Sequence, residues 1–530
     1  MIADLRTLES GATFEADLCV IGAGAAGITI AREFAGRQTS VLLLESGGLE
    51  FEGATQALYD YENAGLPRVP IPSRIRFFGG TTNIWDGRTA PLSDYNFSKR
   101  DWVPLSGWPI ERAALFPFYA RAARIIGLEI NQNETEIAPL LETPLPAFDT
   151  SKVVPQFWQF KPGQPTRFGQ AYRSDVESAS NIRVLLHANV TNIQAAPNGG
   201  RVEYLDVSTL EGRKAKVRAR AYVLAAGGIE NARILLLSDG VERRGLGNRH
   251  DNVGRHFMEH PQTDAAQALV RDPYRFRTTF SGSWLRRLHN AHVLTGIALS
   301  HDLQSRQHVL DCGTIFNYGD EETGTAALQR LIAHEYGGDR AAAIRHDVWR
   351  VMTDLDGVVV NARQKVMLPS KEAYAAPRNI VLTVDIEQVP NPNSRIMLSE
   401  GRERDALGLR RTRIDWRVTD LERRTALAFV RAVGEEFGRL GIGRLQIANW
   451  LLDDTQPVNF RDVHHHMGTT RMSSNPETGV VSGDCQVFGV DNLYVAGASV
   501  FPTSGFVNPT LTIVTLAIRL ADHLKDTLKA

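Results

Sequence analysis

The sequence contains only three cysteines, and their positions exclude several kinds of site. Cys19, Cys312 and Cys485 lie far apart and form no CxxC pair. This spacing excludes a disulfide framework, a cysteine-based zinc site and the attachment of a c-type haem. A haem-containing electron acceptor would therefore be a separate chain.

The sequence also lacks an excess of either charge and any long apolar run. Its 59 basic and 60 acidic residues give a formal net charge of −1, which provides no general attraction for nucleic acid or a membrane surface. No apolar run reaches the roughly 20 residues of a membrane-spanning helix. Residues 1–7 have neither the basic start of a signal peptide nor a twin arginine. We expect a cytoplasmic protein without nucleic-acid or membrane partners.

A glycine-rich turn near the start of the chain has the full context of a dinucleotide-binding motif. The apolar strand 17–21 precedes Gly22-Ala23-Gly24-Ala25-Ala26-Gly27, a helical segment follows, and a second apolar strand ends at Glu45. Gly22 would permit the tight turn, Gly24 the approach of a pyrophosphate, and Gly27 close packing of helix on strand. Glu45 would accept hydrogen bonds from a ribose diol. This motif alone does not choose between FAD and NAD.

The C-terminal part of the chain carries groups suited to proton transfer. His464, His465 and His466 are consecutive, and imidazole accepts protons near neutral pH. In an extended segment, His464 and His466 would share one face and His465 the other. Asn508 offers a neutral hydrogen-bond donor, and Pro509 suits the start of a helix over 510–523 whose positive end would face the same site. We expect no metal there, because no set of acidic or cysteine ligands accompanies the histidines.

The middle of the chain is predicted to contain two groups of β-strands. A strand is predicted at 181–186, which leads to the segment 189–193, and residues 221–230 are predicted to be a strand that runs into a small-residue turn and helix. From about 265 to 460, alternating stretches such as 291–295 indicate an antiparallel sheet. We expect 379–388 to form a long strand, with 395–398 as its hairpin partner across a turn rich in proline and asparagine.

Helices are predicted over 112–126, 326–352 and 421–440. Thr419 and Glu422 form the pattern of a capping box at the start of the last helix, and Gly441 would end it. His256 and His260 lie in a separate segment, where we expect them to be structural rather than catalytic.

Four motifs, taken in order, resemble the glucose–methanol–choline (GMC) family of FAD oxidoreductases. They are Glu45-Ser46-Gly47-Gly48, the glycine- and threonine-rich loop 77–85, His-x-x-Gly-Thr at 465–469 and Asn-Pro-x-Leu-Thr at 508–512. Among family members, the chain is similar to bacterial pyranose oxidases and glycoside 3-oxidases. The resemblance implies an α/β fold in which a Rossmann-type FAD-binding domain is interleaved with an antiparallel-sheet α+β substrate domain.

The resemblance also implies a domain organisation. Residues 1–265 would mainly form the FAD-binding domain, with covering loops and connections at 60–180. Residues 266–460 would form the substrate-binding domain, and residues 461–530 would return to the FAD domain with the catalytic pair. A chain of 530 residues, 43% hydrophobic and 22% charged, has the size and composition of two globular domains.

FAD is the cofactor that the resemblance implies, with the loop 79–85 near its isoalloxazine ring. Pyranose oxidase has a flavin-linked histidine where this chain has Ile84, which offers no nucleophile, so we predict non-covalent FAD. Many relatives have Asp-Gly-Ser where this chain has Gly497-Ala498-Ser499, so backbone amides would replace that carboxylate. The expected cofactor-binding residues are Gly22, Gly24, Ala25, Ala26, Gly27, Glu45, Ser46, Gly79, Gly80, Thr82, Asn83, Ile84, Trp85, Val190, Ala226, Gly227, Gly497, Ala498, Asn508, Pro509 and Thr510.

The same resemblance assigns His465 as catalytic base and Asn508 as its partner. His465 would take the proton of a secondary hydroxyl while hydride passes to flavin N5, with Asn508 holding the oxygen. The expected substrate is a sugar or glycoside hydroxyl, at C2 or C3, which becomes a ketone. A steroid or another secondary metabolite is an alternative substrate, and a lyase or flavin-binding scaffold of the same family is an alternative function. The electron acceptor would be O2, a quinone or a separate redox partner.

Overall fold

The protein is built on two large β-sheets, one small sheet and the helices packed around them. The structure, a computed structural model, describes residues 1–68, 73–128, 137–141, 144–161, 164–280, 282–284, 292–319, 328, 331, 340–353 and 379–529. The strands are β1 (Ile2–Asp4), β2 (Ala12–Ile21), β3 (Val41–Leu44), β4 (Tyr61–Asn63), β5 (Val153–Phe160), β6 (Ile182–Leu186), β7 (Asn189–Ala195), β8 (Val202–Ser208), β9 (Lys214–Leu224), β10 (Gln262–Val270), β11 (Gly282–Trp284), β12 (His292–Leu299), β13 (Cys312–Gly319), β14 (Asn379–Ile386), β15 (Arg395–Leu398), β16 (Thr412–Asp415), β17 (Gly443–Ile447) and β18 (Leu493–Val495). The helices are α1 (Ala25–Glu33), α2 (Gly53–Gln56), α3 (Asp94–Phe97), α4 (Phe116–Ile126), α5 (Phe168–Ala171), α6 (Arg173–Ser178), α7 (Gly227–Leu237), α8 (Pro273–Phe280), α9 (His301–Gln307), α10 (Arg340–Thr353), α11 (Asp420–Arg439), α12 (Asn449–Leu452) and α13 (Thr510–Lys529).

The first large sheet has the order β1-β6-β3-β2-β9-β8-β7, with β18 beside β9. Its strands β1, β6, β3, β2, β9 and β18 run parallel, and β8 and β7 are added antiparallel. All four residues of β3 are buried, as expected for a parallel strand that is covered on both faces. The predicted Rossmann-type sheet is therefore confirmed.

The glycine-rich turn lies at the carboxyl end of this sheet. Strand β2 ends at Ile21, and Gly22 has a φ of +105°. A Cβ on Gly22 would lie 2.8 Å from the carbonyl oxygen of Ala225, so a larger residue would be both strained and crowded. Helix α1 then begins at Ala25, which places its N-terminus beside the ends of β2 and β9.

The second large sheet is antiparallel and has the order β11-β12-β13-β14-β10-β17, with β5 beside β12. Helix α11 packs on it and buries Phe429, Val433 and Phe437. The ring of Phe437 stacks on that of Phe316 in β13 at 6.3 Å between centroids. Strand β5 precedes β6 to β9 of the first sheet in the chain, so the strands of the two large sheets alternate in sequence. This arrangement confirms the interleaved fold.

The predicted hairpin between 379–388 and 395–398 is wrong. Strand β14 forms as predicted, but its two edges are taken by β10 and β13, and β15 pairs with β16 in a small sheet that also includes β4. The chain leaves the large sheet after β14, because the N–H of Val389 donates to Glu422 of α11 and Pro390 and Pro392 have no N–H to donate.

The predicted helices are found with small changes of their bounds. A 3₁₀ turn over Arg112–Leu115 continues into α4, and α11 begins with the predicted capping box of Thr419 and Glu422. Helix α13 runs beyond residue 523 to Lys529. Helix α10 covers the second half of the predicted range 326–352 and ends one residue beyond it, while most of 326–339 lies outside the described residues. None of the helices in the described ranges is both long and apolar enough to cross a membrane.

Candidate active site

A cavity of about 710 Å³ lies where strands β2, β3 and β9 end and the second large sheet faces them. Its wall includes side chains from β5, β10 and β14 and the start of α13. The predicted site residues that line it are Gly22, Gly24, Ala25, Ala26, Glu45, Ser46, Gly80, Thr82, Ile84, Trp85, Val190, Ala226, Gly227, His465, Gly497, Ala498, Asn508, Pro509 and Thr510. Segments that are distant in the sequence thus meet around one space.

Three predicted residues lie behind the wall of this cavity. A Cβ on Gly27 would lie 1.9 Å from the carbonyl oxygen of Gly22, so Gly27 allows helix α1 to pack against the turn. Gly79 has a φ of +100°, and Asn83 donates from Nδ2 to the carbonyl oxygen of Phe78 at 3.1 Å. These residues shape the backbone of the two loops rather than lining the cavity.

His465 contacts three other residues of the site. Its Nδ1 lies 3.0 Å from Nδ1 of His260, and its Nε2 lies 3.3 Å from Nδ2 of Asn508. Its backbone N–H donates to Oε2 of Glu259 at 2.7 Å. Both ring nitrogens and the backbone of His465 are therefore fixed in position.

The hydrogen-bond partners assign the tautomers of the two imidazoles. Nε2 of His260 lies 3.4 Å from the carbonyl oxygen of Ser504, which only accepts, so this nitrogen carries the proton. Nδ1 of His260 is then bare and accepts from the Nδ1–H of His465. Nε2 of His465 is in turn bare, which agrees with its contact to the N–H donor of Asn508. His465 lines the cavity, and its unprotonated Nε2 can accept a proton there when a substrate hydroxyl takes the place of the contact with Asn508.

Burial keeps this pair of histidines neutral. It lowers the pKa of His465 well below the usual value, and the charges of His260, Arg88 and His464 act in the same direction. Burial also lowers the pKa of His260 to about 4, although the hydrogen bond to Ser504 opposes this change. Near neutral pH, His465 is therefore unprotonated, the state that a general base requires.

The two neighbouring histidines also line the cavity, but their ring nitrogens contact a buried ion pair. Nε2 of His466 lies 2.7 Å from Nη2 of Arg68, and Nδ1 of His464 lies 3.5 Å from Oδ2 of Asp462. Arg68 and Asp462 are themselves paired at 2.9 Å. His464 and His466 thus share one environment and His465 has another, although the backbone is not extended, since His464 has a φ of +67°.

Two family matches cover most of the chain. Residues 17–298 match the family described as FAD dependent oxidoreductase, and residues 390–517 match the family described as GMC oxidoreductase. The chain is an FAD-dependent GMC oxidoreductase. Enzymes of this kind oxidise the CH–OH group of an alcohol, and the predicted family and cofactor are confirmed.

Individual relatives of this GMC oxidoreductase include sugar-oxidising enzymes. The fructose dehydrogenase large subunit of Gluconobacter japonicus is 22% identical, over 98% of this chain and 99% of the relative. A C-glycoside 3-oxidase of Microbacterium trichothecenolyticum is 45% identical over 67 residues, which are 12% of this chain and 13% of the relative. The solved structure of pyridoxine 4-oxidase from Mesorbium loti superposes with a TM-score of 0.56 at 18% identity, covering 96% of this chain and 99% of that one. This last likeness shows the fold alone.

The glycines of the cavity wall fit FAD. Gly24, Gly227 and Gly497 line the cavity, and no described atom lies within 4 Å of the place that a Cβ on any of them would take. A side chain there would project into the space along the wall. The backbone of these turns is thus left open to a dinucleotide.

Arg76 provides hydrogen-bond donors that the described protein does not use. Its Nε and Nη1 are buried without a hydrogen-bond partner among the described residues, and Nη1 lies 3.6 Å from Glu230. Arg74, by contrast, donates to Glu230 and to the carbonyl oxygen of Tyr59. Burial raises the pKa of Glu230, but Arg233, Arg76 and Arg74 together outweigh it and hold that pKa at about 2. The free donors of Arg76 suit an anionic group such as the FAD pyrophosphate.

Some residues of the cavity were not predicted from the sequence. Leu407 and Leu409 line it together with Val190 and Ile234. The segment that carries the two leucines is held in place because Arg233 donates to the carbonyl oxygen of Arg410. The segment between β15 and β16 carries no nucleotide-binding motif. His260 was expected to be only structural, and no local pattern indicated its contact with His465.

Proposed function

We propose that the protein oxidises a secondary hydroxyl of a sugar or glycoside, at C2 or C3, to a ketone. The observation that carries the chemistry is the 3.3 Å contact between Nε2 of His465 and Nδ2 of Asn508 inside the FAD cavity. The likeness to fructose dehydrogenase over nearly the whole chain, and to C-glycoside 3-oxidase over a short segment, favours a sugar.

In the proposed mechanism, the alcohol oxygen lies in the cavity within hydrogen-bond distance of both polar atoms. Asn508 donates from Nδ2 to this oxygen, and the bare Nε2 of His465 accepts the hydroxyl proton. FAD, which the glycine-rich turns and Arg76 would hold, would supply the acceptor for the hydride that leaves the carbinol carbon. The proton and the hydride account for both hydrogens and both electrons that the alcohol loses on becoming a ketone. His260 keeps the imidazole in the tautomer that accepts.

The start of helix α13 adds a favourable field to this site. Pro509 and Thr510 line the cavity beside Asn508, so the positive end of the helix dipole is directed at the same space. Negative charge that develops there during the reaction is stabilised by this end.

FAD would be held without a covalent bond. Ile84 lines the cavity and is 49% exposed, and its aliphatic side chain offers no nucleophile to the flavin. The electrons would then pass to O2, a quinone or a separate redox partner.

An anaerobic titration of the purified yellow protein tests this proposal. Methyl glycosides, free sugars, sterols and pyridoxine are added in turn while the flavin absorbance is followed, and FAD is then released by acid precipitation. We expect glycosides or sugars to bleach the flavin and all of it to appear in the supernatant. Bleaching by sterols but by no sugar would overturn the sugar substrate, and flavin that stays with the precipitate would overturn the non-covalent attachment.

A further inference from the structure

Three polar side chains are linked along the cavity wall that the second large sheet provides. Gln262 of β10 and Asp385 of β14 lie opposite each other in register, and Nε2 of Gln262 donates to Oδ1 of Asp385 at 2.7 Å. Nε of Arg461 donates to Oε1 of Gln262 at 2.7 Å, and its two terminal nitrogens donate to Asp264. Gln262, Asp385 and Arg461 all line the cavity.

This network leaves one donor and one acceptor free. Because arginine only donates, Arg461 fixes the oxygen of the Gln262 amide and directs its NH2 group towards Asp385. One of the two N–H bonds is used by Oδ1 of Asp385, and the other has no acceptor among the described residues. Oδ2 of Asp385 receives no hydrogen bond from the described protein. A carboxylate acceptor and an amide donor therefore lie side by side on the cavity wall.

The pair lies close to the proposed catalytic residues. Gln262 follows His260 by two residues, and His260 contacts His465. Arg461 precedes His465 by four residues. Arg88, which lines the same cavity, contributes to lowering the pKa of both His465 and Asp385. Gln262, Asp385 and His465 thus line the same cavity, and the segment that carries Gln262 contacts His465 through His260.

The remaining wall suits the apolar face of a ring. Trp158 and Phe506 line the cavity, and their rings meet edge to face at 6.2 Å between centroids. A cavity wall that combines aromatic side chains with a few fixed polar groups is the usual composition of a small-molecule site.

We propose that Asp385 and Gln262 bind two neighbouring hydroxyl groups of a sugar ring and so select a polyhydroxylated substrate over a monohydric alcohol. One hydroxyl donates to Oδ2 of Asp385, and its neighbour accepts from the free N–H of Gln262. Arg88 and Arg461 beside the carboxylate favour this neutral diol over an ammonium group. A substrate without these hydroxyls leaves the second N–H of Gln262 and Oδ2 of Asp385 without a substrate partner, which is how such sites reject analogues. The inference rests on the proposed sugar oxidation.

The test compares anaerobic flavin reduction by methyl β-glucopyranoside, each of its monodeoxy analogues and cyclohexanol. The variants are Asp385→Asn and, as a matched control, Asp311→Asn. Asp311 is also buried, with a pKa raised by burial to about 7. It likewise accepts amide hydrogen bonds, from Asn96 and Gln304, but it does not line the cavity.

We expect Asp385→Asn to raise the Kd of the glycoside about 10- to 100-fold, the effect of one hydrogen bond to a charged group, and to change the Kd of cyclohexanol far less. The monodeoxy analogue that lacks the hydroxyl bound by Asp385 should bind the parent protein more weakly than the glycoside does. In the variant, the loss of this hydroxyl should weaken binding little further, because both changes remove the same contact. Asp311→Asn should keep the parental values.

Two other outcomes would overturn different claims. If Asp385→Asn weakens the glycoside and cyclohexanol equally, or if its effect multiplies with every deoxy substitution, the diol site is wrong while the sugar oxidation stands. If the parent protein is reduced by cyclohexanol and by no glycoside, the proposed function falls, and the diol site falls with it.

Discussion

Nδ1 of His465 lies 3.0 Å from Nδ1 of His260, so the proposed base is held by a second, neutral imidazole. This contact determines which nitrogen of His465 is bare. His260 touches neither the substrate nor the cofactor in this account and acts as a positioning residue through His465.

Replacing His260 by Phe should slow the enzyme without weakening substrate binding. An aromatic ring is kept, but Nδ1–H of His465 loses its acceptor, and the tautomer with a bare Nε2 is no longer enforced. We expect the limiting rate of flavin reduction to fall about 10- to 100-fold, with little change in the Kd of the substrate. Loss of a residue that orients a functional histidine through its second ring nitrogen usually has an effect of this size. His260→Asn should recover part of the rate, since its oxygen accepts from Nδ1–H.

His256→Phe is the matched control for this change. His256 is buried four residues earlier, contacts the carbonyl oxygen of Pro390 and does not line the cavity. Its variant should reduce flavin at the parental rate. Equal losses in the two Phe variants would show that His260 has only a structural role.

The local patterns of the sequence predicted the nucleotide-binding turn, the two kinds of sheet and the capping box of α11. These features are determined by residues that are neighbours in the chain. The hairpin of β14 and β15 was predicted wrongly, because the choice of strand partner depends on β10, β13 and β16, which are distant in sequence.

The candidate site was only partly accessible to sequence reasoning for the same reason. His465 and Asn508 were assigned from a family resemblance, and their contact joins residues 43 positions apart. Gln262 and Asp385 are 123 positions apart. Only the register of β10 and β14 brings them together, and no motif indicates that pairing.

Arg76 should contribute to FAD affinity. Its buried Nε and Nη1 lack partners among the described residues, so removal of the guanidinium takes away donors for the pyrophosphate. We expect Arg76→Met to raise the Kd of FAD about 10-fold or more, measured by titrating the apoprotein and following flavin fluorescence. Arg76→Lys keeps the charge and should lose less. An Arg76→Met protein that binds FAD as tightly as the parent would contradict this role.

The limiting rate of flavin reduction should not follow the ordinary titration of histidine. Burial, His260, Arg88 and His464 lower the pKa of His465, and the base acts unprotonated, so its protonation reduces the rate only well below pH 6.5. Burial raises the pKa of Glu259, which accepts the backbone N–H of His465, to about 7. The profile is therefore best measured in Glu259→Gln. A fall near pH 6.5 that persists in this variant would contradict the assignment.

Glycoside affinity should show a separate pH dependence. Burial raises the pKa of Asp385 to about 6, and the negative charge of Asp86 acts in the same direction. The hydrogen bond from Gln262 and the positive charges of Arg88 and Arg461 oppose this rise. The ionised form accepts the substrate hydroxyl, so the Kd of a glycoside should rise as the pH falls through about 6. The Kd of cyclohexanol should stay constant, and so should the Kd of the glycoside in Asp385→Asn. A glycoside Kd that is flat from pH 5 to 8 in the parent protein would contradict this view.

The central claim is that His465 takes the proton of the substrate alcohol, and single-turnover reduction of His465→Ala tests it most directly. The rate of flavin bleaching by a saturating glycoside is compared with that of the parent and of His250→Ala, which removes an exposed histidine. We expect His465→Ala to bind FAD fully but to be reduced about 10²- to 10⁴-fold more slowly, the usual contribution of a general base, while His250→Ala keeps the parental rate. Reduction of His465→Ala at the parental rate would contradict the account.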